Sequence, residues 1–355
     1  MKPTKLLLPS RQSSLSQLNR LLNTEKYSSA KYFILTDENT SEHCLPLLVS
    51  EVEALQESEF LEIECGEDNK TLEIASQLWQ ALIDMPTDRQ SIIVNLGGGM
   101  VSDMGGFVAA AFKRGISYIN IPTTLVGMID AAIGGKTAVN IEGIKNQIGF
   151  FYAPEVVCIE PKFLETLPQR EWMSGLFEMI KTFMVGDAAM YAELCEKLSD
   201  ENPTISPSMI RAAAQIKTAI VKTDQYDLGI RKMLNFGHTL GHAIESFSLR
   251  HHENPLSHGE AVGIGMVGEA YLSMKKVGFS TDEYNKLLNM VSQMVAMPNY
   301  KLTDLEELLV YVAADKKNSN GNIYCTLLHD VGEAMIDVAV SENEICDAFM
   351  QLCKK

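Results

Sequence analysis

Along the first 165 residues the apolar positions come in short β-rich runs: KYFILTD (31–37), LEIEC (61–65), SIIVNLGGG (91–99), SYINIPTT (117–124) and VVCIEP (156–161). Helical or glycine-rich stretches separate them, an alternation that predicts strand–helix units around a mainly parallel sheet. From Glu171 onward the apolar residues recur with helical period, over 171–184, 206–223, 234–248, 259–276, 281–295 and 303–316. A late strand pair, NIYCTLLHD (322–330) and EAMIDVAV (333–340), interrupts this run, with Val331-Gly332 as its turn and a last helix over 342–353. The pattern predicts an α/β N-terminal domain over 1–168, Rossmann-like in its mainly parallel sheet, and a mainly α-helical domain over 169–355.

Composition agrees with two domains and narrows the chemistry. A chain of 355 residues exceeds the size at which one core splits, about 250–300 residues. Hydrophobic residues make up 46% and charged ones 21%, and no apolar run approaches the ~20 residues that cross a bilayer. The opening MKPTKLLLPSRQSS falls short of a signal peptide's apolar core, so a cytoplasmic location is expected. Seven scattered cysteines without a CxxC pair suggest neither a disulfide framework nor a thiolate zinc site. A formal net charge of −16 repels phosphate backbones and argues against nucleic acid as a partner. An anionic substrate would need locally concentrated lysines and arginines.

Two segments carry ligand-binding chemistry at strand ends. The run Asn95 to Gly106 sets five glycines and Asp103 between a buried strand and the apolar helix FVAAAF. Glycine lets backbone approach a ligand closely, and the N–H groups of a helix start favour a pyrophosphate. The spacing is not GxGxxG, so the standard dinucleotide fingerprint is absent, and a tight turn without ligand is the alternative for this run alone. A second region, Ile121 to Asn140, places Thr123, Thr124, Asp130 and Lys136 at the next strand end.

Five of the seven histidines lie between 238 and 258. His238 and His242 are four apart on one helix face and can present two imidazoles to one centre, with His258 entering at the next helix start. A catalytic zinc takes three protein ligands and keeps one position open, so a carboxylate is the natural complement to two histidines. Spacing leaves open which carboxylate serves, and whether His238 or His242 pairs with His258. Histidines lining a helical core are the alternative; His251 and His252 fall in a polar stretch and are assigned no chemistry.

Read in order, GGGMVSD (97–103), KRG (113–115), PTTL (122–125), GGKTAVN (134–140), KNQIGFF (145–151), FLETLP (163–168), GLFEMIK (175–181), GIRKMLNFGHTLGHAIE (229–245) and HGEAVGIGM (258–266) resemble the dehydroquinate synthase family of sugar-phosphate cyclases. The resemblance runs from Thr36 to Lys317. It implies Glu178, His238 and His258 as ligands of zinc or cobalt, with His242 on the substrate or proton-handling side. It implies NAD contacts from Asp37, Asn39, Glu67, Lys70, Gly99, Met100, Val101, Ser102, Asp103, Thr123, Thr124, Asp130, Lys136, Lys145, Phe163, Leu164, Glu165 and Thr166. Arg114, Lys136, Asn146, Lys181, Lys217, Arg231, Asn235 and Lys316 or Lys317 match positions that hold a sugar phosphate, where arginine forks and lysine point charges suit carboxylate and phosphate. The sequence departs from the commonest family pattern at Cys65, Ser102 and Gln225.

The implied activity is conversion of 3-deoxy-D-arabino-heptulosonate 7-phosphate to 3-dehydroquinate and phosphate, on the shikimate route to aromatic amino acids. Transient oxidation by NAD, phosphate elimination, re-reduction and intramolecular aldol closure would follow one another, by a homodimeric enzyme. The rivals are a metal- and NAD-dependent polyol dehydrogenase, a sister sugar-phosphate cyclase, and an NAD-binding module without catalysis.

Overall fold

The computed structural model describes residues 4–142, 144–200, 204–314 and 323–353. The chain forms two compact units, Met1–Trp172 with Ser206–Ala214, and Met173–Ile205 with Gln215–Lys355. Among the described residues no helix is long and apolar enough to cross a membrane.

Among its described residues the first unit holds eight strands: β1 (Lys5–Leu7), β2 (Tyr32–Asp37), β3 (Glu59–Ile63), β4 (Ile92–Gly97), β5 (Ser117–Pro122), β6 (Lys136–Ile141), β7 (Ile144–Phe151) and β8 (Val156–Cys158). Its helices are α1 (Ser14–Leu22), α2 (Glu38–His43), α3 (Leu45–Glu51), α4 (Leu72–Asp84) and α5 (Gly99–Ala111). Six strands form one sheet in the order β1-β8-β5-β4-β2-β3, every pair parallel. The central strands β4 and β2 are almost wholly buried, as continuous apolar runs covered on both faces should be. After β3 the chain returns to the other side of β2 to make β4, so the strand order reverses between β2 and β4, where open parallel sheets form a binding crevice at the strands' carboxyl ends.

Two features of this unit differ from the sequence reading. β1 was not expected; three residues carry too little periodicity, and its partner β8 lies about 150 positions away. GGKTAVN, read as a polar loop end, is a turn into a strand: Gly134 and Gly135 take positive φ of 109° and 64°, and β6 then pairs antiparallel with β7. All eight β7 residues are exposed, including Ile144, Ile148, Phe150 and Phe151.

The second unit contains α6 (Gln169–Gly186, from Met173 on), α7 (Ala188–Leu198), α8 (Pro207–Thr223, from Gln215 on), α9 (His238–His251), α10 (His258–Lys276), α11 (Thr281–Met294), α12 (Leu302–Ala314) and α13 (Glu342–Leu352). The hairpin β9 (Ile323–Asp330) and β10 (Glu333–Val340) turns at Val331-Gly332, with Gly332 at φ 89°. Helix α7 was absent from the sequence reading. The helix expected over 234–248 begins at His238 instead, because Gly237 takes a left-handed conformation, φ 79°, after a 3₁₀ turn over Ile230–Asn235.

Helix α10 is buried on nearly all sides and packs through small residues. A Cβ on Gly259 would strike the Ser174 carbonyl oxygen on α6, and one on Gly265 would lie 2.6 Å from Gly241 N on α9. Backbone contact therefore sets the separations among α6, α9 and α10. Cross-helix caps reinforce it: Gly259 N donates to Ser174 Oγ at 3.0 Å, and Gly237 N and Leu240 N donate to Glu269 at 2.7 and 3.1 Å.

Candidate functional site

In the second unit these helices bring together most of the expected chemistry. Glu178 and Lys181 lie one turn apart on α6, both with side chains 1% exposed, and Lys181 Nζ is 2.6 Å from Glu178 Oε2. Glu178 Oε1 is 3.5 Å from His238 Nε2 and 3.3 Å from His258 Nε2. His238 and His258 are the first residues of α9 and α10, and His242 follows one turn along α9. One ring nitrogen of each of His238, His242 and His258 lies within 4.8 Å of the others.

Electrostatics suit a cation at this point. Burial alone would push the Glu178 carboxyl up, but Lys181 and the two imidazoles outweigh it and hold it well below the usual range. Burial, aided by the Lys181 charge, depresses His238 and keeps that imidazole neutral, the form that binds metal. For His258, burial opposes the charged form, but hydrogen bonds to Glu178 and Glu245 prevail and set its pKa at about 10 without a metal. Both carboxylate oxygens of Glu178 are buried, Oε2 against the Lys181 ammonium and Oε1 between the two imidazoles. A buried carboxylate oxygen facing two imidazole nitrogens is a site where a cation offsets the cost of burial, so this donor set of one carboxylate and imidazoles fits a divalent metal. Mutual proximity alone groups His242 with the other two histidines; contact with the carboxylate groups Glu178 with His238 and His258.

Lysine and arginine are almost never buried without a partner or a task. Among the described residues the buried ones are Lys70, Lys181, Lys217 and Arg231, each named from the resemblance. The loop leading to Arg231 is held by Asp224, whose carboxylate accepts from Leu228 N at 3.1 Å, Gly229 N at 2.7 Å and Arg231 N at 3.1 Å. The Arg231 guanidinium donates to the Gln225 carbonyl at 3.0 Å through backbone, so glutamine there preserves that contact. Asn235 is half-buried at the end of the same 3₁₀ turn, and Lys316 and Lys317 lie outside the described residues.

In the first unit most of the expected nucleotide residues lie in the segments that follow strands of the parallel sheet. Asp37 ends β2 and caps α2, accepting from Thr40 N at 2.8 Å, with Asn39 exposed in that helix. Gly99 to Asp103 form the start of α5, which no side chain caps, so its first N–H groups point out of the helix end. Ser102 is buried within that helix. Thr123 and Thr124 follow β5, Asp130 sits in a π-helical turn over Gly127–Ala131, and Phe163 to Thr166 lie in 3₁₀ turns after β8. Buried Lys70 is 2.6 Å from both Asp103 Oδ2 and Asn146 Oδ1, and 3.6 Å from Glu67 Oε1. Burial would lower its pKa, but Asp103 and Glu67 raise it, so Lys70 remains a cation. Lys136 and Lys145 are exposed on the β6–β7 hairpin. Cys65 is exposed ahead of Gly66, whose φ of 103° makes the turn.

Arg114 stands apart from this group. It follows α5, at the opposite end of the helix from Gly99, and α5 spans about 20 Å at 1.5 Å per residue. Lys113, Arg114 and Gly115 take three successive positive φ values of 48°, 67° and 108°, beside a recess of about 640 Å³ lined by Thr87, Asp88 and Arg89.

The family profile for the 3-dehydroquinate synthase N-terminal region matches residues 60–174, and that for the C-terminal region matches 175–318. This chain belongs to the 3-dehydroquinate synthase family. It is 41% identical over 334 residues to a 3-dehydroquinate synthase of Parabacteroides distasonis, covering 94% of each chain. In structure it is similar to 2-epi-5-epi-valiolone synthase from Streptomyces hygroscopicus subsp. jinggangensis with NAD+ and Zn2+ bound, at TM-score 0.82 and 24% identity over 99% of this chain and 97% of that one. It is also similar to 2-deoxy-scyllo-inosose synthase complexed with carbaglucose-6-phosphate, NAD+ and Co2+, at TM-score 0.84 and 23% identity over 98% and 96%. At such identities these two likenesses establish the fold alone.

Glu245, Glu269 and Ser174 were not singled out by the sequence reading. Each acts through a helix end or a ring nitrogen, and the contacts involved join segments 13, 29 to 32 and 85 residues apart.

Proposed function

We infer that the protein is an enzyme converting 3-deoxy-D-arabino-heptulosonate 7-phosphate to 3-dehydroquinate and phosphate, a carbon–oxygen lyase dependent on NAD and a divalent metal. Family membership along the chain carries the reading, with 41% identity over 94% of a curated relative. The buried Glu178 among histidines supports the metal, as do the bound NAD+ and metal ions of the structural neighbours.

When bound, NAD supplies a reversible hydride acceptor and the zinc or cobalt ion a Lewis acid for the alcohol that is transiently oxidised. Glu178, His238 and His258 would hold the ion. Lys181 lies 2.6 Å from Glu178 Oε2, and His242, whose ring nitrogen lies within 4.8 Å of those of His238 and His258, would exchange a proton with the substrate. Lys217, Arg231 and Asn235 offer buried or half-buried donors to the substrate's anionic groups and hydroxyls. In the first unit the uncapped start of α5 would receive the NAD pyrophosphate, with Asp37, Lys70 and Thr123 around it. Lys136 and Asn146 complete the proposed substrate set. Arg114 keeps its proposed place only by acting apart from the strand ends.

We propose a homodimer in the cytoplasm. The apolar side chains of β7 favour self-association, and seven free cysteines suit a reducing compartment. Light scattering would give the mass. The activity is tested with enzyme, NAD+ and the heptulosonate phosphate: phosphate should appear without net NADH. Stoichiometric NADH would instead mark a polyol dehydrogenase and overturn the reading.

A further inference from the structure

Two imidazoles approach Glu178 Oε1, and they are held differently. His238 has its side chain 12% exposed and its Nδ1 3.2 Å from the Phe236 carbonyl, so packing and backbone fix the ring. His258 has its side chain 39% exposed, too open for packing alone to hold one rotamer. Its Nδ1 is 3.0 Å from Glu245 Oε2. Glu245 lies on α9, seven residues and two turns beyond His238, hence on the same helix face. Its side chain is 12% exposed, and a carboxylate is costly to bury without a role.

We propose that Glu245 is a positioning residue for the metal site, fixing the tautomer and orientation of His258 so that its Nε2 lone pair faces the point shared with Glu178. A carboxylate only accepts, so the Nδ1 it contacts carries the proton and Nε2 is left as the ligand atom. The contact also binds α9 to the first residue of α10, which ties the two histidine-bearing helices together on the ligand side. Partners of this kind change metal affinity about 10- to 100-fold when removed. The inference rests on Glu178, His238 and His258 being the ligands.

The test separates reach from charge. Wild type, Glu245→Gln, Glu245→Asp and Glu245→Ala are stripped with chelator, and zinc dissociation constants are measured by competition with a chromophoric chelator at a temperature where every metal-free form is folded. Glutamine keeps the acceptor's reach without its charge; aspartate keeps the charge and withdraws the acceptor. Affinity should fall in the order wild type, Gln, Asp, with Ala about 10- to 100-fold below wild type. The cobalt(II) visible spectrum should change in Asp and Ala, a signature that mere destabilisation does not produce. An Ala variant with wild-type zinc affinity, or Asp binding better than Gln, overturns the inference while leaving the ligand set standing. Wild type that binds neither zinc nor cobalt overturns the ligand set itself, and is read without any variant.

Discussion

Gly259→Ala tests whether backbone packing sets the spacing of His258 from Glu178. The new Cβ would meet the Ser174 carbonyl oxygen and lie 2.5 Å from Ser174 Cα and 2.6 Å from its carbonyl carbon. Nonbonded carbons settle near 3.5–4.0 Å, so α10 must move from α6 by about 1 Å. The obstacle is main chain on both helices, so no rotamer change relieves it. Overpacking of this kind costs about 1–3 kcal/mol, which lowers the melting temperature by roughly 2–12 °C in a unit of this size. The same shift would break the Gly259 N to Ser174 Oγ bond and move the adjacent His258, whose Nε2 is 3.3 Å from Glu178 Oε1. Misplacement by about 1 Å can cost about 100-fold in rate. Thermal melting of the metal-free protein, zinc competition and phosphate release measure the three consequences. Gly268→Ala is the comparison, since its Cβ would meet the mobile end of Leu240, 2.6 Å away, and should cost less. Gly259→Ala with wild-type melting and wild-type zinc affinity would refute the reasoning.

Three further outcomes follow from named contacts. Glu269→Gln sets an amide N–H against one of the two backbone donors at the start of α9, and should lower stability by about 1–3 kcal/mol in denaturant titration; no change would show that the cap contributes nothing. Asp224→Ala removes the acceptor for three backbone N–H groups ahead of Arg231, so KM should rise several-fold with a smaller fall in kcat; an unchanged KM counts against the loop's role. Glu344 is held down at about 2, first by Lys276 and then by the Ser341 cap of α13. A depressed carboxylate stabilises above its unfolded value, near 4.3, and loses that contribution as pH falls toward 2. Acid melts of wild type and Glu344→Gln should therefore converge across that range, and a constant gap would exclude the linkage.

The alternation of β-rich runs with helical stretches was enough to anticipate β2, β4 and β5, because a parallel sheet covered on both faces makes its central strands continuously apolar. It could not show β1, which exists only because β8 is there to pair with it. Nor could it show that Gly237 would stop a helix whose apolar period continues upstream. Histidine spacing marked the region of the site, and the resemblance named Glu178 among 46 acidic residues, a choice periodicity could not make because burial is decided by other segments. Glu245 escaped for the opposite reason. It stands in the quoted HAIE stretch, yet its contact with His258 depends on two helices meeting, which neither segment encodes alone.

Lys217 and Arg231, proposed above to meet the substrate's anionic groups, are buried in a chain of net charge −16, and the contrast bears on how an anion arrives. At low ionic strength the exterior repels such a molecule over a screening length of ~30 Å in 0.01 M salt, while desolvated lysines and arginines exert their attraction only at close range. Added salt shortens the repulsion to ~8 Å by 0.15 M and screens the buried contacts far less. The encounter rate should then rise with salt over this range, opposite to the usual trend for an anion meeting its basic site.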